Sequence, residues 1–233
     1  MKHQYVLFVS SLFILGACGK AKDSNGLSPD KPTVIINRPV IEEETDVTLV
    51  SELKPMNTNL NSLKVGSITI DKQKDTIEAT VRVQKSTPST WHKQAIYSGT
   101  RCPELKDDLN KDAYIDIDEA MKVVGKILIP LDADIDSQLG GWNSFPVSTT
   151  EGGYDWSRSA SFTRLLDDLR ADDERANDEI MKIGKKDKLK LSGKVVMIQG
   201  TADTTFLPMT VSRQGEHTPH VSLPVACGIL GKK

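Results

Sequence analysis

Through residues 76–83, Ile77, Ala79, Val81 and Val83 alternate with polar side chains. A strand turns successive side chains to opposite faces, so a period of two defines a strand with one apolar face. The run before it, residues 65–70, ends just short of Lys72, Gln73, Lys74 and Asp75, a polar stretch suited to a turn. The two runs read as a β-hairpin with one buried face, and the rest of the chain has to cover that face.

Further strands are predicted at 33–36, 91–97, 126–131, 194–199 and near 221–229. Between them lies a helical stretch in which Phe162, Leu165, Leu166 and Leu169 recur at i, i+3, i+4 and i+7, with Ser159 or Ser161 placed to cap it. That stripe is most simply core-facing. Residues 173–183 read as a second helix, acidic at its start, with Lys182 near its end and Gly184 as the stop. No internal repeat is present. Residues 33–233 suffice for one domain with a sizeable core. The pattern predicts a mainly β fold, a sandwich or Greek-key barrel, with an acidic loop and a two-helix excursion inserted at about 102–190.

The acidic loop is the most specific motif. Calcium takes six to eight oxygens, and a twelve-residue loop can supply them from positions 1, 3, 5, 7, 9 and 12. Counted from Asp108, those positions hold Asp108, Asn110, Asp112, Tyr114, Asp116 and Glu119. The stretch resembles the EF-hand family. The resemblance implies that Tyr114 gives its backbone carbonyl, Asp116 acts directly or through water, Glu119 closes the sphere with both carboxylate oxygens, and Ile115 points inward. One departure is Ala113, where the family has a glycine to take φ > 0; a side chain there costs on the order of 1 kcal/mol. Pro103 leaves only Glu104 to Asp107 for an entering helix, whereas an exiting helix can begin at Glu119, so an isolated structural loop is expected. The competing reading is a solvated acidic turn, since Asp and Asn bond their own backbone. Asp132, Asp134 and Asp136 repeat the first three ligand positions, but Asn143 stands where a closing carboxylate belongs, and a polar turn is the simpler expectation.

Lys2 and the apolar run at residues 5–15 have the form of a signal-peptide core, too short to span a bilayer. Leu15, Gly16, Ala17 and Cys18 resemble the lipobox of bacterial lipoproteins. The resemblance implies cleavage after residue 17 and a Cys18 carrying acyl chains, more than one of which stable anchoring requires. Gly19 follows in place of the Asp that marks inner-membrane retention in Gram-negative lipoproteins, which implies the outer membrane. Residues 18–32 are too polar to fold and read as a tether. Removing residues 1–17 takes away Lys2 and moves the formal net charge from −2 to −3, a balance that speaks against nucleic-acid binding. With Cys18 used for lipid, Cys102 and Cys227 remain, and an oxidising compartment favours joining them.

The run from Leu223 through Cys227 to Leu230 is similar to the closing strand of copper/zinc superoxide dismutases, which supplies half of a disulfide in that family. Residues 193–200 are similar to a strand that ends there in a copper-ligating histidine, but Gln199 occupies that place, and His92 with Gln94 keeps half of a His-x-His pair. The resemblance implies a sandwich fold. After residue 17 only His92, His217 and His220 remain, too few for that metal site. Hydrolase, zinc-protease and phosphate-loop motifs are not found. The function expected is a lipid-anchored envelope protein with a calcium-binding loop and a structural or interaction role toward a surface protein or glycan. Its alternative is a metal-dependent redox enzyme of superoxide dismutase-like fold. Trp91, Trp142 and Trp156 serve either buried packing or a ligand-stacking surface.

Overall fold

The computed structural model describes residues 46–60, 66–136, 141–171 and 179–233. The signal segment 1–17, Cys18, the tether 18–32, the strand predicted at 33–36 and part of the second predicted helix lie outside the described residues. Nine strands run through the described part: β1 (Asp46–Pro55), β2 (Gly66–Gln73), β3 (Thr76–Val83), β4 (Gln94–Tyr97), β5 (Ile127–Pro130), β6 (Tyr154–Ser161), β7 (Val195–Gln199), β8 (Pro224–Ile229) and β9 (Gly231–Lys232). Three helices interrupt them: α1 (Ile117–Val124), α2 (Phe162–Arg170) and α3 (Pro219–Ser222). Each strand pairs antiparallel with its neighbours in the order β5-β4-β7-β8-β1-β2-β3-β6, and β9 also pairs with β1. The sheet curls so that its two halves face one core, a mainly β architecture of the sandwich or barrel kind.

The hairpin forms as its alternation dictates. Gln73 pairs with Thr76 across a two-residue turn, and Ile68 and Ile70 stand opposite Val81 and Ala79. Lys74 in that turn takes φ of 47°, and its N–H donates to Asp46 Oδ1 at 3.0 Å. Ile77, Ala79, Val81 and Val83 are buried, while Glu78 and Arg82 face out. Three strands were not anticipated: β1, β6 and the two-residue β9. In β1, Leu49 and Leu53 are buried with Ser51 between them, so a polar side chain interrupts an otherwise regular apolar face. In β6 only Tyr154 and Trp156 are deeply buried, and the strand runs on through serines. It is held by eight register pairs to β3 rather than by apolar contacts of its own. The excursion between β4 and β7 thus adds two strands, β5 and β6, to opposite ends of the sheet.

Strands β4, β5 and β7 are buried at every position, and β8 at all but Ile229. Such continuous burial requires cover on both faces. On one side Ile96, Ile129, Val196, Ile198 and Ala226 join the main core with the hairpin and with Phe162, Leu165, Leu166 and Leu169 of α2. On the other, Ala95, Tyr97, Val195, Met197 and Cys227 meet Ile115, Ile117, Ala120 and Val124. The acidic loop and α1 are therefore the outer cover of this half-sheet.

Helix α2 begins at its Ser161 cap, whose Oγ accepts from Arg164 N at 3.3 Å. Residues 179–183 correct the second predicted helix. They are extended: Ile180 forms a parallel bridge with Ile127, Ile127 N donates to Glu179 O and Met181 N to Ile127 O, each at 2.8 Å. The exposed edge of β5 offers these backbone groups partners that a helix end would lack. Near the C-terminus, α3 occupies the start of the strand predicted at 221–229, with Pro219 at its first turn.

Candidate metal centre

The acidic loop opens after a short 3-10 turn, Leu105–Asp107, and closes in the first turn of α1. Lys111 and Ala113 take φ of 60° and 68°, so Ala113 adopts the left-handed conformation for which the resembling family uses glycine. Asp108 organises the first half: Oδ1 accepts from Lys111 N at 2.7 Å and Asp112 N at 3.3 Å, and Oδ2 accepts from Ala113 N at 2.9 Å. Asn110 Oδ1 accepts from Asp112 N, and Asp112 Oδ1 from Tyr114 N, each at 2.9 Å. In the second half Asp116 caps α1, accepting from Glu119 N at 3.0 Å, while Glu119 Oε2 accepts from Asp116 N at 3.2 Å. The other Glu119 oxygen reaches back to Leu109 N at 2.7 Å and Asn110 N at 3.2 Å. The twelfth residue of the loop thus touches its beginning, and the chain closes into a ring.

Two flanking segments hold this ring. Asn57, itself at φ of 49°, lies just past β1; its Oδ1 accepts from Ile115 N at 2.7 Å. Its Nδ2 donates to Ile115 O at 3.0 Å and Pro224 O at 2.9 Å. Asn59 Nδ2 donates to Ala113 O at 3.2 Å, so these two amides bind the carbonyls on either side of Tyr114 and not that of Tyr114. From the other side, Thr210 Oγ1 donates to Asp112 Oδ2 at 2.6 Å and Ser212 N to Asp116 Oδ2 at 3.0 Å. None of these four clamps carries a sequence signal, because each lies about 50 to 100 residues from its partner.

Among the described residues, no group of three or more His, Cys, Asp or Glu side chains is gathered as a metal-holding cluster. The loop carboxylates hold backbone amides instead. The donor set is all oxygen, including the Asn110 amide and one backbone carbonyl, which suits a hard cation and not copper or zinc.

Cys102 and Cys227 form the disulfide expected of them, 125 residues apart, with Cα atoms separated by 5.9 Å. The bond joins the segment leading into the acidic loop to β8. The Asp132 cluster is a polar turn: Asp132 Oδ1 accepts from Asp134 N at 3.0 Å and Oδ2 from Ser144 Oγ at 2.9 Å, while Asp136 pairs with Arg164 at 3.3 Å.

The three histidines have different partners. His92 is buried, with Nδ1 3.0 Å from Gln199 O and its ring stacked on Tyr154; burial pushes its pKa below the ordinary histidine value. His217 packs on Trp142 with ring centroids 4.2 Å apart, and His220 Nε2 lies 2.7 Å from Thr205 O. His92 and Gln199, the positions that resemble copper ligands, do meet, and Gln199 Nε2 donates to Tyr97 Oη at 3.0 Å. Their contacts are those of a core polar network. Of the tryptophans, Trp156 is buried, Trp142 half-buried and Trp91 42% exposed. No helix among the described residues is long and apolar enough to cross a membrane. Compared with known proteins, the chain matches no family model and no curated sequence.

Proposed function

We propose that this protein is a lipid-anchored component of the bacterial envelope, probing or bracing its surroundings without catalysing a reaction, and that residues 108–119 bind one structural calcium ion. The observation that carries the calcium reading is closure of the ring: Glu119 meets Leu109 and Asn110 while Ala113 bears the φ a calcium loop needs. Calcium would take Asp108, Asn110, Asp112, the Tyr114 carbonyl, Asp116 and Glu119, neutralising carboxylates that crowd one loop. Its role is mechanical. Ile115 and Ile117, 5% and 1% exposed, are the loop's and helix's contribution to the outer layer, so fixing the loop fixes the cover of the second half-sheet. Weak binding is enough, since extracellular modules work at about 0.1–1 mM calcium. The address rests on the lipobox residues and on Cys18, which would carry the acyl chains and place the domain at a membrane, with the outer membrane favoured by Gly19.

Calorimetric titration of calcium into the purified chain, with magnesium as control, tests the ion. One saturable site and a raised melting temperature are expected, and Glu119→Gln, which keeps one acceptor oxygen and loses the other, should weaken binding at least tenfold. Absence of binding at several times the extracellular range of about 1 mM would return the loop to an acidic turn. Mass spectrometry of the mature N-terminus tests the anchor: acylated Cys18 is expected, and an unmodified or uncleaved N-terminus would remove it.

A further inference from the structure

A second site lies away from the acidic loop. A cavity of about 360 Å³ opens beside the edge of β5, walled by Lys93, Trp142, Phe145, Glu179, Gln214 and His217. Its volume falls within the range of small-molecule sites. At its base the Lys93 side chain is only 8% exposed; Nζ donates to Glu179 Oε2 at 3.1 Å and Gln214 Oε1 at 3.0 Å, and sits 4.9 Å from the Trp142 ring centroid. His217 packs against the same indole. A buried ammonium, paired and resting on an aromatic ring at the floor of an open cavity, is a built arrangement.

The chemistry of the lining selects the ligand. An anion would compete with Glu179 for Lys93 and meet Glu216, which also lines the cavity. A cation would have to displace Lys93 from the indole. The first sets the incoming charge against the carboxylates of Glu179 and Glu216, and the second strips the buried Lys93 ammonium of its aromatic contact, so both are unfavourable. A neutral ligand rich in hydroxyls leaves the pair intact, because each hydroxyl both donates and accepts and can answer a carboxylate, an amide and an ammonium together. The aromatic walls, Trp142, Phe145 and His217, supply apolar surface for the C–H face of a ring. We infer that this cavity binds a neutral saccharide, with Trp142 and His217 forming the stacking wall and Lys93, Glu179 and Gln214 the hydrogen-bonding floor. The site uses none of the residues assigned to calcium, so it stands or falls separately from that reading.

Tryptophan fluorescence and calorimetry on the purified full chain test it, with glucose, galactose, N-acetylglucosamine, cellobiose and chitobiose as probes, and phosphate and spermidine as charged controls. At least one sugar should bind saturably. Trp142→Ala and His217→Ala should each weaken it by about tenfold or more, while cooperative thermal melting of the same variants, with a far-ultraviolet circular dichroism spectrum unchanged from wild type, would show them folded. The affinity should shift less than about twofold as salt rises through the range that screens surface charges. Saturation by none of the five sugars overturns the inference, as does sugar binding that both variants retain. Tighter binding of phosphate or spermidine than of any sugar overturns the neutral-ligand assignment.

Discussion

The two halves of the sheet are built on different principles. In β1, β2, β3 and β6 one face is buried and the other meets solvent; β1, β2 and β3 follow one another in the chain around the local β2–β3 hairpin, and β6 joins β3 from the excursion. In β4, β5, β7 and β8 both faces are covered, the paired strands come from distant parts of the chain, and the outer cover is not a sheet but a loop and an eight-residue helix. A half-exposed sheet needs only an apolar face. A doubly covered one needs a lid, and here the lid is the segment whose acidic residues would otherwise push it into water. Amide-to-carboxylate bonds, the Asn57 clamp and the disulfide all act on that lid, which explains why the polar devices of the molecule concentrate there.

This contrast can be broken at several places. Cys102→Ser should have the largest effect, a loss of about 4–5 kcal/mol for a closed loop of this length, read as a fall in the denaturant midpoint; a negligible loss would mean the lid does not depend on its covalent tie. Ile117→Ala and Ile70→Ala probe the outer layer and the main core in turn, and each should cost about 2–5 kcal/mol. A far smaller cost at Ile117 would show that the outer layer melts apart from the rest. Asn57→Ala leaves the Ile115 amide buried without its acceptor, at about 1–3 kcal/mol for each unsatisfied group, and hydrogen exchange at Ile115 should speed up while the hairpin amides stay protected. Ser161→Ala removes the α2 cap on the other half and should cost about 1 kcal/mol.

The smallest effect is set by pH. Two hydrogen bonds from Arg101, at 2.7 and 2.8 Å, hold the Asp107 carboxyl down at about 2. A depressed acid stabilises the fold fully above its ordinary value of 3.8 and loses that contribution as the pH falls through about 2. The pair is solvent-facing, so the change is modest and weakens with salt. Asp107→Asn should flatten the acid limb of the melting temperature between about pH 4 and 2; an unaltered limb would show that Arg101 has no hold on the turn leading into the loop.

The hairpin and the stripe of α2 were legible because each is a local, periodic pattern, and the α2 cap was legible as one of two serines, 159 or 161, of which the structure uses Ser161. β1 could have been read from Leu49 and Leu53, had Ser51 not interrupted the face. β6 had little of its own to read, since five of its eight residues are serine, alanine or charged beyond Trp156, and β3 holds it by backbone pairing. The extension of residues 179–183 along β5 came from an unsatisfied strand edge, which no window of sequence contains.

At the candidate metal centre the division is sharper. The oxygen-bearing side chains and their spacing, the left-handed demand at position 113 and the presence of an exiting helix lie within twelve consecutive residues, so the sequence alone determined them, although α1 starts at Ile117, two residues before the Glu119 expected. That Asn57, Thr210 and Ser212 clamp the ring and that Ile115 and Ile117 close a second apolar layer were decided only in three dimensions. The physical reason is the range of the interactions. Backbone conformation and ligand spacing are set between near neighbours, whereas burial and hydrogen-bond satisfaction are settled among groups that meet only when distant strands have paired.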